Sequence, residues 1–202
     1  MPPTIRNFAV TFDYRCPYAR IAHDHVIAGL RAGADWDVTF LPFSLGQAHV
    51  EEGQPSVWER PEQDSGILAL QAAIAVRDGQ PDRFVDAHHA LFEHRHLAAG
   101  SLRDRDVLTE VLGGVGVDPD AVWTAVDSGR PLATIEKEHV GFSESHEVWG
   151  VPTFVMGDAA VFVRLLEPAG HDLELGRATV ERVLDQFSWQ NLNEFKHTSI
   201  PR

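Results

Sequence analysis

The fold follows from one stretch, Phe12-Asp13-Tyr14-Arg15-Cys16-Pro17-Tyr18-Ala19, in which a short strand runs into a helix that begins at the only cysteine of the chain. The preceding residues 8–12 are apolar and β-branched, a composition that predicts a buried strand. Pro17 suits the first turn of a helix, because its φ is already helical and its position needs no N–H donor. The stretch therefore predicts a strand, a turn and a helix, with Cys16 at or next to the helix N-cap.

This position predicts an activated thiol. The unpaired N–H groups and the positive dipole end of a helix N-terminus favour an anion, so we expect the pKa of Cys16 to lie below the reference value of about 8.5. The thiolate is the nucleophilic form of cysteine. A lone cysteine can also be an inert buried residue, but Pro17 and the strand-to-helix junction favour the reactive interpretation.

Cys16-Pro17-Tyr18-Ala19 resembles the Cys-Pro-aromatic-Cys motif of DsbA-like thioredoxin-fold oxidoreductases, at the place expected after a first strand. The chain departs from that motif at Ala19, where redox-active members carry a second, resolving cysteine. The resemblance then implies monothiol chemistry, either attack on a disulfide to give a mixed disulfide or activation of a small thiol. The related kappa-class glutathione transferases and 2-hydroxychromene-2-carboxylate isomerases carry Ser-Pro-Tyr at the equivalent turn, so this chain lies between the two patterns.

A second motif, Gly150-Val151-Pro152-Thr153, resembles the cis-proline loop of thioredoxin-like proteins. The resemblance implies a cis Pro152 that faces Cys16 across a substrate groove. The backbone N–H and C=O of Val151 would then pair with an extended partner as an added strand. The predicted site combines the catalytic cysteine, the rest of its motif and a substrate-binding loop: Cys16; Pro17, Tyr18 and Ala19; and Val151, Pro152 and Thr153.

The remaining patterns predict an α/β protein with a thioredoxin fold and a large all-helical insertion between its two halves. A helix over 17–31 and a strand over 36–40 complete a right-handed strand-helix-strand unit with parallel strands. A polar loop over 44–61 precedes five helical patterns, at 67–77, 82–97, 104–112, 119–126 and 132–146. A hairpin over 153–156 and 160–164 and a helix over 174–187 follow. We predict a thioredoxin-fold domain from 1–43 and 147–187, a helical insertion domain over 62–146 and a C-terminal tail over 188–202.

The eleven histidines do not predict a metal site. His89, Glu93 and His96 could share one helical face, but no HExxH pattern is present. Solvated or locally hydrogen-bonded histidines are the better interpretation. His146 ends the helix that leads into the proline loop, where it could help to hold a Cys16 thiolate.

The amino-acid composition restricts the classes of binding partner and the cellular compartment that we expect for this protein. The 202 residues include 30 acidic and 17 basic side chains, a net charge of −13 that argues against nucleic acid or an anionic membrane as partner. The N-terminus lacks the apolar core of a secretory signal, and no run of residues is apolar enough to span a membrane. A single cysteine rules out an internal disulfide framework. These features together predict a cytoplasmic protein.

Three classes of function are compatible with these features. The first is a monothiol thiol-disulfide oxidoreductase in which Cys16 attacks a small disulfide or a peptide substrate. The second is a transferase or isomerase that activates the thiol of glutathione or mycothiol, in which Cys16 need not react. The third is a non-catalytic redox-sensing or interaction domain. We expect no tightly bound cofactor, and a homodimer remains an open alternative.

Overall fold

The computed structural model describes residues 5–192, 194 and 196. Its strands form one sheet in the order β2-β1-β3-β4. β1 pairs in parallel with β2 and antiparallel with β3, which forms an antiparallel hairpin with β4. The two halves of the chain therefore meet where β1 and β3 pair. The strands are β1 (Arg6–Phe12), β2 (Trp36–Pro42), β3 (Thr153–Met156) and β4 (Ala159–Phe162).

Eight α-helices surround this sheet within the described residues, most of them between β2 and β3. The helices are α1 (Pro17–Arg31), α2 (Leu45–Ala48), α3 (Ile67–Gly79), α4 (Pro81–His96), α5 (Arg105–Gly113), α6 (Pro119–Asp127), α7 (Arg130–His146) and α8 (Leu173–Gln186). The α/β thioredoxin fold with a helical segment between its halves is thus confirmed. The subdivision into domains stays a prediction, and the predicted tail falls partly outside the described residues.

Most element boundaries differ from the sequence expectations by one or two residues, and three differences concern the loop before α3 and the ends of β2 and β4. The predicted loop over 44–61 contains the short helix α2, because Ser44 Oγ accepts the Gln47 N–H at 3.1 Å and caps it. A 3-10 turn, Pro61–Gln63, follows this loop. β2 continues to Pro42, which pairs with Phe12 of β1. β2 is an edge strand, where a residue without an N–H is tolerated. β4 ends at Phe162, two residues before the predicted hairpin end.

The apolar core continues from the sheet into the helical segment. Phe40 of β2 packs edge-on against Phe84 of α4, with ring centroids 5.2 Å apart. α8 packs so closely on α1 that a Cβ added at Gly176 would lie only 3.0 Å from the His25 carbonyl oxygen. No helix in the described part of the chain has the length and apolar character needed to cross a membrane.

Candidate active site

Cys16 is the N-cap of α1. Its backbone is extended (φ −86, ψ 117), and its Sγ accepts the N–H of Ala19 at 3.4 Å. The Cys16 N–H donates to the Asp13 carbonyl at 3.0 Å, which closes the turn between β1 and α1. The thiol is half-buried, whereas the neighbouring Pro17 is exposed and Ala19 is fully buried. The strand-to-helix position of the thiol is as the sequence predicts.

The loop before β3 lies against this thiol. The Val151–Pro152 peptide bond is cis, and the Val151 carbonyl oxygen is 3.5 Å from Cys16 Sγ, which donates to it. Thr153 turns into the sheet instead of the groove. Its N–H donates to Thr11 Oγ1 at 2.8 Å and its hydroxyl donates to the Gly150 carbonyl at 2.8 Å. The bond to Thr11 of β1 and the bond within the loop hold the loop at a distance where Val151 reaches Cys16.

The expectation of a lowered pKa at Cys16 is wrong for this structure. Burial raises the pKa of the Cys16 thiol, and the Asp13 carboxylate raises it further. The backbone N–H groups of Ala19 and Tyr18 and the charge of Arg164 lower it, but the net pKa is above the ordinary value for cysteine. The contact with the Val151 carbonyl also requires a proton on the sulfur. The resting thiol is therefore protonated at neutral pH.

A buried ion network lies under the cysteine turn. Asp13 is fully buried, and Arg15 binds it through two nitrogens, Nε to Oδ1 at 3.0 Å and Nη2 to Oδ2 at 2.6 Å. Arg15 Nη1 also donates to Asp64 Oδ2 at 2.9 Å, and the Leu45 N–H donates to Asp13 Oδ2 at 2.8 Å. Gly66 leaves room for Arg15, since a Cβ added at position 66 would lie only 2.7 Å from the Nε atom of Arg15. The network ties the segment before α3 to the turn that carries Cys16.

A second buried network runs through the helical segment. Tyr14 Oη is 2.7 Å from His88 Nδ1, His88 Nε2 is 2.8 Å from His23 Nδ1, and His23 Nε2 is 3.0 Å from the Thr11 carbonyl oxygen. The carbonyl only accepts, so His23 donates to it, His88 donates to His23, and Tyr14 donates to His88. This direction requires both imidazoles to be neutral, in agreement with their lowered pKa values. Burial lowers the pKa of His23 to about 4 and that of His88 well below its usual value.

The other histidines that the sequence singled out lie apart from the thiol. His89 lies 3.6 Å from Asp24 and from Glu93, and His96 donates to the Tyr14 carbonyl at 2.9 Å. His146 contacts the Gly157 carbonyl at 3.1 Å, and no hydrogen bond joins it to Cys16 within residues 5–192. Among the described residues, no three histidine, cysteine or carboxylate side chains stand close enough to hold a metal ion.

The guanidinium of Arg164 stacks on the Tyr18 ring. The guanidinium carbon of Arg164, two residues after β4, lies 4.3 Å from the centre of the Tyr18 ring. Arg164 is exposed, while Tyr18 is half-buried. Sequence reasoning missed this residue, as it missed the Asp13 and Arg15 pair, because no local pattern places β4 beside the start of α1.

The comparisons with known proteins agree with this geometry. The profile of the family described as DSBA-like thioredoxin domain matches residues 8–167. The chain belongs to this family. A thioredoxin-like oxidoreductase from Silicibacter pomeroyi DSS-3 has a similar structure, with a TM-score of 0.59 and 20% identity over 91% of this chain and 86% of that one. The thiol-disulfide exchange protein alpha-DsbA2 from Wolbachia pipientis is also similar, with a TM-score of 0.57 and 16% identity over 91% of this chain and 84% of that one.

A third DsbA-like structure is that of the cytosolic disulfide reductase DsbM from Pseudomonas aeruginosa with GSH. Its TM-score is 0.60 at 16% identity, over 89% of this chain and 99% of that one. At these identities the likeness concerns the fold. A search among curated proteins finds no match. Within this DsbA-like oxidoreductase fold, the chain has Ala19 where the family motif has its second cysteine.

Proposed function

We propose that this chain catalyses thiol-disulfide exchange by monothiol chemistry at Cys16, with a small thiol or disulfide such as glutathione or mycothiol as the exchanging partner. One observation carries the proposal. The Cys16 sulfur caps α1 and lies 3.5 Å from the Val151 carbonyl, beside the cis Pro152. In this arrangement the half-buried sulfur lies against the buried loop before β3, with which the partner would pair once it displaces the contact between Cys16 and Val151.

The reaction begins with loss of the Cys16 proton to solvent, after which the helix N-terminus and Arg164 stabilise the thiolate. The thiolate attacks one sulfur of the disulfide. A Cys16–S–S–R bond forms, the original S–S bond breaks, and the leaving thiolate takes up a proton. A second small thiol then attacks the mixed disulfide, which releases a new disulfide and regenerates Cys16. No net electron is gained or lost by the protein.

The external thiol is needed because the chain has no second cysteine to resolve the mixed disulfide. The P. aeruginosa DsbM structure contains GSH, which supports a small thiol in this role. Such thiols are abundant in a reducing cytoplasm. We therefore propose the cytoplasm as the compartment, although a similar structure is described as a periplasmic thioredoxin-like protein from Salmonella enterica.

The test is the intact mass of the protein after incubation with glutathione disulfide. We expect one glutathione per chain, no adduct in Cys16→Ser, and loss of the adduct when reduced glutathione is added. Because the pKa of Cys16 is raised, the rate of adduct formation should keep increasing above neutral pH. An absent adduct, or one that persists in Cys16→Ser, would refute the proposal.

The protonated resting thiol favours a second candidate, a transferase or isomerase that activates a bound glutathione or mycothiol. In that case Cys16 donates a hydrogen bond to the cofactor sulfur and does not react. Saturable binding of reduced glutathione without a mixed disulfide would select this candidate. An adduct that forms but is not turned over by excess glutathione would indicate the redox-sensing role.

A further inference from the structure

The surface beside Cys16 carries one arginine among three aromatic side chains, which we call the aromatic strip (Tyr18, Trp149 and Phe162). Trp149 is 69% exposed, and its ring lies 4.6 Å from that of Phe162. The Arg164 guanidinium carbon lies 5.9 Å from the Phe162 ring and 4.3 Å from the Tyr18 ring. The guanidinium is therefore positioned by two aromatic rings.

Two members of the aromatic strip belong to the two segments that meet at the reacting sulfur. Tyr18 follows Cys16 by two residues in the first turn of α1, and Trp149 precedes Val151 by two residues. The charge of Arg164 opposes the raising of the Cys16 pKa, although the net pKa stays above the ordinary value for cysteine. Because Arg164 stacks on Tyr18, an anionic group that contacts Arg164 would lie beside the first turn of α1, which Cys16 caps.

The Arg164 guanidinium has no acidic partner in the described part of the chain. Arg15, in the turn before α1, is instead paired with Asp13 and Asp64. Within residues 5–192, no carboxylate lies within 4.0 Å of the Arg164 nitrogens and no hydrogen bond involves them. Stacking occupies the face of a guanidinium and leaves its edge N–H donors unused, and these match a carboxylate in bidentate geometry.

We infer that Arg164 selects the substrate, binding a carboxylate of a small anionic disulfide while one of its sulfurs lies at Cys16. The inference rests on the proposed function and names its substrate class as a carboxylate-bearing disulfide of the glutathione type. In a chain with a net charge of −13, a positioned cation at the groove overcomes the general repulsion of anions. Disulfides without a carboxylate gain nothing from this contact.

The experiment compares rates of mixed-disulfide formation at Cys16 with two probes, glutathione disulfide, which is anionic, and bis(2-hydroxyethyl) disulfide, which is neutral. Arg164→Gln also changes the thiolate fraction, but that change affects both probes equally and cancels in the ratio of their rates. We expect Arg164→Gln to lower the anionic-to-neutral ratio about two- to fivefold, the range for an exposed ion pair. Arg164→Glu should lower it further, and Arg164→Lys, which keeps the charge but not the bidentate edge, should lower it less than Arg164→Gln does.

Arg105→Gln is the matched control. Arg105 also stacks on an aromatic ring, at 4.7 Å from Trp123, but it is paired with Asp127 in the helical segment. Arg105→Gln changes the net charge by the same amount as Arg164→Gln and should leave the anionic-to-neutral rate ratio unchanged. An unchanged ratio in Arg164→Gln, with both probes still reacting at Cys16, overturns the inference and leaves the proposed function standing. Failure of both probes to react in the unsubstituted protein would instead remove the proposed function.

Discussion

At the scale of single residues, the reactivity of Cys16 is the balance of opposing effects on one sulfur. The Ala19 N–H contact at 3.4 Å favours the thiolate, and so does Arg164. Burial and the Asp13 carboxylate oppose it, and burial is the largest effect. Helix capping by itself therefore does not activate this thiol. The contact between the thiol and the Val151 carbonyl also favours the protonated form, because only the S–H can donate to that oxygen.

Ala19→Cys should create a dithiol that oxidises internally. Position 19 is fully buried, and its backbone N–H already points at the Cys16 sulfur, so the two sulfurs would share the first turn of α1. We expect a disulfide between Cys16 and the introduced cysteine after mild oxidation, and a gain of activity in an insulin-reduction assay. Thiol titration with and without oxidant measures this.

The matched control for that variant is Ala19→Ser, which adds a similar polar atom without a thiol. It should retain one titratable thiol under both conditions and gain no activity. Two free thiols in oxidised Ala19→Cys would contradict the placement of Cys16 at the helix start.

At the scale of secondary-structure elements, the chain of hydrogen bonds from Tyr14 through His88 and His23 to Thr11 connects β1, its following turn, α1 and α4. Phe12 packs edge-on against His88, with ring centroids 4.6 Å apart, so the polar chain is enclosed by apolar rings. A buried polar group is stabilising only when its bonds are made, and here each donor has an acceptor. The network therefore fixes how the helical segment sits against the cysteine turn.

Tyr14→Phe should destabilise the protein. The substitution keeps the ring but leaves His88 Nδ1 buried without its donor, a loss of about 1–3 kcal/mol in the free energy of unfolding. Urea denaturation monitored by tryptophan fluorescence measures the change. Tyr18→Phe removes a hydroxyl that has no hydrogen bond within the described residues, and it should change the unfolding free energy by less than about 0.5 kcal/mol. Equal effects of the two substitutions would contradict the network.

At the scale of the whole molecule, buried neutral histidines make stability depend on pH. Burial lowers the pKa of His23 and of His139 to about 4, and it lowers that of His88 well below its usual value. Unfolded histidine has a pKa of about 6.5. Between these values the unfolded chain binds protons that the folded protein does not. The stability that these groups contribute is thus present above a pH of about 6.5 and is lost as the pH falls towards about 4.

We therefore expect the free energy of unfolding to fall on acidification from about pH 7 to about pH 5, by up to about 1.4 kcal/mol per pH unit for each such histidine. Most carboxylates titrate below this window. His139→Asn keeps an acceptor for the Ser44 N–H, 3.2 Å from His139 Nδ1, and should reduce the slope. The exposed His171→Asn should leave the slope unchanged. A free energy that is constant over this range would contradict neutral burial of these imidazoles.

Local chemistry in the sequence was sufficient for most of the elements and for the location of the thiol. The start of α1 follows from the Cys16 cap and Pro17, and the start of α6 follows from Asp118 and Pro119, because caps and prolines act on their own turn. The loop that faces Cys16 was found through its resemblance to a family motif. These features depend on residues that are close in the chain.

Only the tertiary structure decided the chemistry of the site, because burial and charge interactions sum over residues that are distant in sequence. The pKa of Cys16 depends on desolvation by packed neighbours and on Arg164, which is 148 positions away along the chain. His23 and His88, on different helices, meet only when α4 packs on α1. Arg164 reaches Tyr18 only because β3 pairs with β1 and brings β4 beside the start of α1.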